Sequence, residues 1–189
     1  MIIQHLSKPF YHTIIHGFIA SHDKPLVLNE IESLDTPASD PHHMRLQKEN
    51  NTDAFSLDGI FSADRSKSKI LSVMSKAFQM KLHEHDNENP FLGYVPITNK
   101  DLTMVQKYKN GSQYFPHHDN SVLTFLCPIT VGKYTGGRLT FCRHDYAPEI
   151  PPDGCLVFPS HEIHQLEKIK TRSKGYVRYS INMRVFIGS

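Results

Sequence analysis

The sequence predicts a mainly β fold, a barrel or jelly roll braced by helices on one side. Helical periodicity is confined to the first half of the chain. From Leu102 onward, short runs rich in apolar and β-branched residues follow one another closely. Asn110-Gly111, Gly136-Gly137 and Asp153-Gly154 punctuate those runs as turns. Helices first and then about seven short strands is the order of a closed or double-sheet β architecture.

A chain of 189 residues is long enough to bury a core as one domain, and 39% hydrophobic residues indicate neither disorder nor a fibre. A formal charge of +2 argues against a strongly basic nucleic-acid surface, while leaving room for a local patch. Thirteen histidines are many for one small domain and favour metal chemistry. Cys127, Cys142 and Cys155 form no Cys-x-x-Cys pair and lie in apolar strand-like runs, so buried reduced thiols are expected. No basic-then-apolar leader opens the chain and no apolar run reaches membrane-spanning length, so a cytoplasmic protein with no membrane partner is expected.

Residues 8–19, with their β-branched and aromatic residues, read as one or two strands. Asp23 ahead of Pro25 marks a helix start, and Val27, Ile31 and Leu34 repeat at helical spacing. Residues 36–56 are polar, carry Pro37 and Pro41, and read as a long loop suited to a substrate lid. His42 and His43 inside it lack ligand spacing and read as solvated. Ser62 is expected to cap a second helix with a buried stripe of Leu71, Met74, Phe78 and Leu82, ended by the polar run 83–89. Strands are expected at 102–108, 113–119, 122–129, 138–142, 155–158, 164–169 and 176–186. No repeat or linker divides the chain.

Two of these strands carry chemistry. His117 and Asp119 form a His-x-Asp pair, and alternate side chains of an extended segment share a face, so both can grip one metal ion. His161 and His164 are available as a third ligand. Two histidines and a carboxylate with open positions are typical of non-heme Fe(II) oxygenases, and the same groups can hold a catalytic zinc with its water. The final strand alternates between Val177, Tyr179, Ile181, Met183 and Val185 on one face and Arg178, Ser180, Asn182 and Arg184 on the other. At an edge the polar face is ordinarily solvated. In a barrel whose outer wall packs on helices the arginines point inward and need an anion, and a carboxylate matches the guanidinium fork.

Gln106-Lys-Tyr108-Lys-Asn-Gly111, His117-His-Asp119-Asn, Thr135-Gly-Gly-Arg-Leu-Thr-Phe141, Asp153-Gly-Cys-Leu-Val-Phe-Pro-Ser160, His164-Gln-Leu and Arg178-Tyr-Ser180 follow in that order. Together they resemble the catalytic domain of the prolyl 4-hydroxylase-like branch of the Fe(II)/2-oxoglutarate dioxygenases. Residues 8–34 also resemble that family's opening strand and helix, whereas 36–100 match nothing in it. The resemblance implies an α+β, mainly β fold with a double-stranded β-helix (jelly-roll) core at 101–189. Strand and helix support would come from 1–100, within a single domain 1–189.

It also implies His117, Asp119 and His164 as iron ligands. His164 is preferred to His161 because Ile-His-Gln-Leu fits the family's apolar-His-x-apolar segment, and His118 is the variable middle residue. Arg178 and Ser180 would hold the distal carboxylate of 2-oxoglutarate, and Tyr108 would help seat it. The implied reaction hydroxylates an unactivated C–H bond of a prolyl or other amino-acid residue in a protein or peptide. It uses O2, with ascorbate as reductant, and releases succinate and CO2.

The pattern departs at one position. Many relatives carry tryptophan six residues after the arginine, but this chain has no tryptophan and Arg184 stands there. The Arg178–Arg184 spacing resembles the two-arginine signature of AlkB-like nucleic-acid demethylases, whose second arginine lies near the base under repair. The near-neutral charge and the Gly136-Gly137-x-Leu-x-Phe segment favour the hydroxylase branch. A free amino-acid or small-molecule oxygenase, with Arg184 gripping a substrate carboxylate, is the third reading.

Overall fold

A computed structural model describes residues 1–35 and 41–188. Its strands are β1 (Ile2–Leu6), β2 (His12–His16), β3 (Thr52–Ser56), β4 (Lys100–Tyr108), β5 (Tyr114–His117), β6 (Leu123–Thr130), β7 (Leu139–Phe141), β8 (Cys155–Pro159), β9 (His164–Leu166) and β10 (Arg178–Phe186). Its α-helices are α1 (Lys24–Ser33), α2 (Pro41–Asn50), α3 (Leu57–Ile60), α4 (Lys69–Met74) and α5 (Lys76–Gln79). Every strand pair is antiparallel. A seven-stranded sheet in the order β1-β2-β8-β6-β10-β4-β3 faces a three-stranded sheet in the order β5-β9-β7. This is the expected mainly β jelly-roll fold, and each strand expected after residue 101 is present with ends trimmed or extended by a few residues.

Period-two alternation sorts the larger sheet into two environments. One face carries Tyr179, Ile181, Met183 and Val185 of β10 with Phe125 and Cys127 of β6 and Val157 of β8, and it packs against Val27, Ile31, Ile70, Val73, Met74 and Ala77 of the helices. The opposite face turns toward the smaller sheet, where Leu126, Leu156 and Phe158 meet Leu139 and Phe141 of β7. Arg178, Ser180 and Asn182 lie on that inner face and are buried. With apolar residues covered by helices outside, the polar row of β10 has nowhere to go but inward.

The segment 36–56 differs from the expected loop. Residues 41–50 form α2 and 52–56 form β3, while 36–40 lie outside the described residues. Met44, Arg45, Leu46, Gln47, Lys48 and Glu49 are good helix formers, which outweighs the polarity that suggested a loop. Short β3 is made a strand by pairing rather than propensity, with Thr52 opposite Tyr108 and Phe55 opposite Val105. The reading of His42 and His43 as solvated concerns side chains outside those described.

The second helix also starts later than expected. Ser68, not Ser62, caps it, accepting from Leu71 N at 3.0 Å. The helix divides into α4 and α5 at Ser75, and Phe78, at 39% exposure, leaves the expected stripe while Ile70, Val73 and Ala77 fill it. β1 was not anticipated; it is an edge strand zipped to β2 and only partly buried. Cys127 and Cys155 are buried free thiols as expected, but Cys142 is exposed because it follows β7 where the chain turns. Among the described residues no helix is long and apolar enough to cross a membrane.

Acidic residues on and ahead of α1 clamp the helical layer. Glu30 accepts from Lys69 N at 2.5 Å and Ser68 Oγ at 2.5 Å, satisfying the first turn of α4. Buried Asp23 lies between Lys69 Nζ at 2.7 Å and Lys76 Nζ at 2.6 Å, which hold its carboxyl down to about 2. A folded-state value below the usual carboxylate range contributes stability above about pH 4 that is lost as pH falls toward 2. Asp23→Asn should therefore lower Tm by about 2–4 °C at neutral pH. Thermal unfolding followed from pH 6 to pH 2 should show the gap from wild type closing between about pH 4 and pH 2.

Candidate functional site

The smaller sheet brings the two histidines together. β5 and β9 pair so that His117 stands directly opposite His164, with ring centroids 4.3 Å apart. A register shift between Tyr114 and His117 ends the regular ladder there. Each imidazole is oriented by its own chain: His117 Nδ1 lies 2.8 Å from Phe115 O and His164 Nδ1 lies 2.9 Å from Glu162 O. A carbonyl only accepts, so each Nδ1 carries the proton and each Nε2 keeps a free lone pair. Those two Nε2 atoms lie 4.0 and 3.9 Å from Asp119 Oδ1 and Oδ2.

Asp119 is held from behind. Its N–H donates to Ser160 O at 2.9 Å, and its Oδ2 accepts from Thr124 Oγ1 at 2.6 Å. Thr124 also meets Ser160 Oγ at 2.9 Å, which meets Ser121 Oγ at 2.6 Å. One ligand atom from each of His117, Asp119 and His164 falls within 4.8 Å of the others, close enough for a metal ion. Burial, and then the neighbouring His164, lowers the His117 imidazole to about 4. It is therefore neutral at physiological pH, as a metal ligand must be. Two nitrogens and one carboxylate oxygen, all with lone pairs turned to one point, fit a divalent transition metal.

The other histidines considered for this role stand apart. The His161 side chain is 60% exposed, 3.6 Å from Glu162 and against the Phe91 ring. His118 is exposed, as expected for the residue between two that face inward.

A small cavity of about 20 Å³ leads from the histidines to Arg178. On its floor Arg178 pairs in register with Tyr108, and Ser180 with Gln106. Arg178 is 8% exposed and donates from Nη1 to Gly137 O at 2.8 Å and to Tyr134 Oη at 3.4 Å. Its Nε is buried without a partner, and no carboxylate pairs with it among the described residues. A buried cation left so is costly unless an anion joins it. Tyr108 is buried, and that burial raises its hydroxyl well above the usual range, so it remains a donor, here to Gln106 Oε1 at 3.1 Å. Gly136 explains how Gly137 reaches the arginine: its φ is +72°, and a Cβ there would come within 2.2 Å of Lys168 O.

On the other side of His117 and Asp119 lies an outer cavity of about 190 Å³. Leu46 and Gln47 of α2 and Thr52 and Ala54 of β3 wall it, together with Met104, Tyr114 and Arg184. The segment expected to be a lid loop thus borders the site as a helix and an edge strand. Sequence reasoning missed this wall and the Thr124–Ser160 support of Asp119. Ser160 stood within a motif already singled out, and Thr124 is an inward polar residue on a buried strand, but neither has ligand spacing.

Solved structures share this fold at low identity. The viral collagen prolyl hydroxylase vCPH of Paramecium bursaria Chlorella virus-1, in complex with 2OG, matches with TM-score 0.62 and 12% identity over 94% of this chain and 97% of that one. A Pseudomonas putida prolyl-4-hydroxylase matches with TM-score 0.55 and 14% identity over 94% and 93%. OsALKBH1 matches with TM-score 0.56 and 10% identity over 97% and 99%. No family model and no curated protein matches the sequence. At such identities the likeness establishes the fold.

Fe(II) added anaerobically should raise Tm through binding to the folded state alone. His117→Ala and His164→Ala should each remove that shift, and His161→Ala should retain it. Thr124→Val should weaken the metal about 10–100-fold through a freed Asp119, read by titration.

Proposed function

We propose that the chain is an Fe(II)- and 2-oxoglutarate-dependent dioxygenase that hydroxylates an unactivated C–H bond of a prolyl or other amino-acid unit. One observation carries this: a two-histidine, one-carboxylate set opens onto a cavity at whose far end a buried arginine lacks an anion. A catalytic zinc could use the same three residues, but zinc hydrolysis has no use for an unpaired cation buried beyond them. The fold shared with two prolyl hydroxylases, one of them in complex with 2OG, supports the same choice.

In this proposal His117, Asp119 and His164 hold the iron. Arg178 receives the distal carboxylate of 2-oxoglutarate through its planar fork, and the Ser180 and Tyr108 hydroxyls add donors on the adjoining wall. Bound iron and 2-oxoglutarate supply the oxidation: of the two atoms of O2, one enters the substrate C–H bond and the other enters succinate as CO2 departs. Ascorbate serves as reductant for the iron.

The chain's own part is positional. The Nδ1–carbonyl bonds fix the histidine tautomers, and Thr124 and Ser160 fix the carboxylate. Leu126, Leu139 and Leu166 line the inner cavity with apolar surface. A second reading, an oxidative nucleic-acid demethylase, is favoured by Arg184 lining the outer cavity beside the triad. Against it stand the small outer cavity and the near-neutral net charge.

Arg178→Ala should weaken 2-oxoglutarate by about 2–5 kcal/mol, since the carboxylate would lose its charge partner. The loss is measured as a collapse of the 2-oxoglutarate-dependent thermal shift in the metal-loaded protein. A wild-type affinity in that variant would place the co-substrate's anion site elsewhere.

A further inference from the structure

The outer cavity carries polar groups that the structure leaves unanswered. Arg184 follows Arg178, Ser180 and Asn182 on the inner face of β10 and sits opposite Thr124, the residue that holds Asp119. Its guanidinium is partly buried, and among the described residues its one hydrogen-bond contact is Nη2 to the Met104 sulfur at 3.1 Å, a weak acceptor. Among the described residues no carboxylate lies within ion-pair distance of it. Arg45, Arg65 and Arg138, by contrast, each meet an acid. Thr52 Oγ1 on β3 and Asn182 Oδ1, two residues before Arg184 on β10, line the same cavity and are buried without any hydrogen-bond partner among the described residues. Buried polar atoms are nearly always paired in native proteins, so two orphaned atoms beside a guanidinium without a carboxylate point to a ligand bound in this cavity.

The chemistry of that ligand follows from the groups. A planar guanidinium matches a carboxylate better than any neutral group. The Asn182 amide oxygen calls for an N–H donor. The cavity volume of about 190 Å³ is below the roughly 300–1,000 Å³ of drug-sized sites, which suits an amino-acid-sized unit.

We propose that the outer cavity selects substrates by a free α-carboxylate bound to Arg184, with an adjacent N–H turned to Asn182 and the C–H to be oxidised facing the triad. A free α-amino acid and the last residue of a peptide present that same chemistry. This proposal rests on the dioxygenase reading and adds a substrate class to it. Arg184 is then a substrate-positioning residue, distinct from Arg178, which serves the co-substrate.

The test uses the full chain with Fe(II), ascorbate and 2-oxoglutarate. Succinate release is measured with the twenty common L-amino acids, with their carboxamides, and with tetrapeptides bearing a free or an amidated C-terminus. At least one free acid should stimulate release, and its carboxamide should be about a hundredfold poorer in kcat/KM. Arg184→Gln should raise KM for the acid by a similar factor and abolish the preference over the carboxamide, while Arg184→Lys should keep part of that preference. Stimulation by amino acids assigns a free small-molecule substrate, and stimulation by free-ended peptides alone assigns a peptide terminus.

Equal turnover of acid and amide overturns the proposal, as does stimulation by none of the carboxylates or by a methylated oligonucleotide alone. A thermal shift with Fe(II) and 2-oxoglutarate, measured on the same preparation, separates the two levels. Its presence in such a case leaves the dioxygenase standing without this substrate class, and its absence overturns both.

Discussion

The two-residue period of β10 is the constraint on which the rest of the molecule depends. One face of this strand supplies Tyr179, Ile181, Met183 and Val185 to the helical core, and the other presents Arg178, Ser180, Asn182 and Arg184 to the interior between the sheets. Slipping its pairing by one residue would exchange the two sets, driving guanidinium groups against α1 and α4 and leaving apolar groups around the cavities. Each large apolar side chain is worth about 1.5–3 kcal/mol when fully buried, so the register is strongly held. The arginines face inward because their neighbours cannot.

The same economy builds the cluster of His117, Asp119 and His164. His117 and His164 come from strands that neighbour each other in the smaller sheet, and their direct opposition does what close sequence spacing would otherwise have to do. Asp119 lies beyond the end of its strand and needs a separate brace, which the larger sheet supplies through Thr124 and the turn after β8 through Ser160. The three groups thus gather where two sheets meet, and none of them can shift without disturbing a hydrogen bond to its own support.

What the sequence made legible follows from the range of the forces involved. The alternation in 176–186 and the His-x-Asp pair are local patterns, so the inward arginines and the first two members of the triad could be read directly. His164 was chosen over His161 through a resemblance, and the structure shows the difference physically: one ring stands opposite His117 and the other is out in solvent. Within the expected loop, residues 52–56 were misread because β3 has no strong preference of its own and exists through its pairing with β4. Thr124, Ser160 and Thr52 could not be found at all from spacing, since their roles arise from contacts made across the fold. The start of α4 at Ser68 was missed for the same reason, as its first turn is completed by Glu30 from a distant helix.

The wall made by α2 and β3 has a consequence for how the outer cavity is held. β3 is the outermost strand of its sheet, joined on one side only, and α2 precedes it along the chain. The Leu46 and Ala54 side chains face the outer cavity rather than the ladder that carries Arg178, whereas Asn50 at the end of α2 accepts from Phe115 N at 2.9 Å and so supports the strand that bears His117. The proposed substrate wall is thus shared between a peripheral layer and the central strand: α2 and β3 close the outer cavity on one side, while Arg184 reaches it from the same strand that carries Arg178.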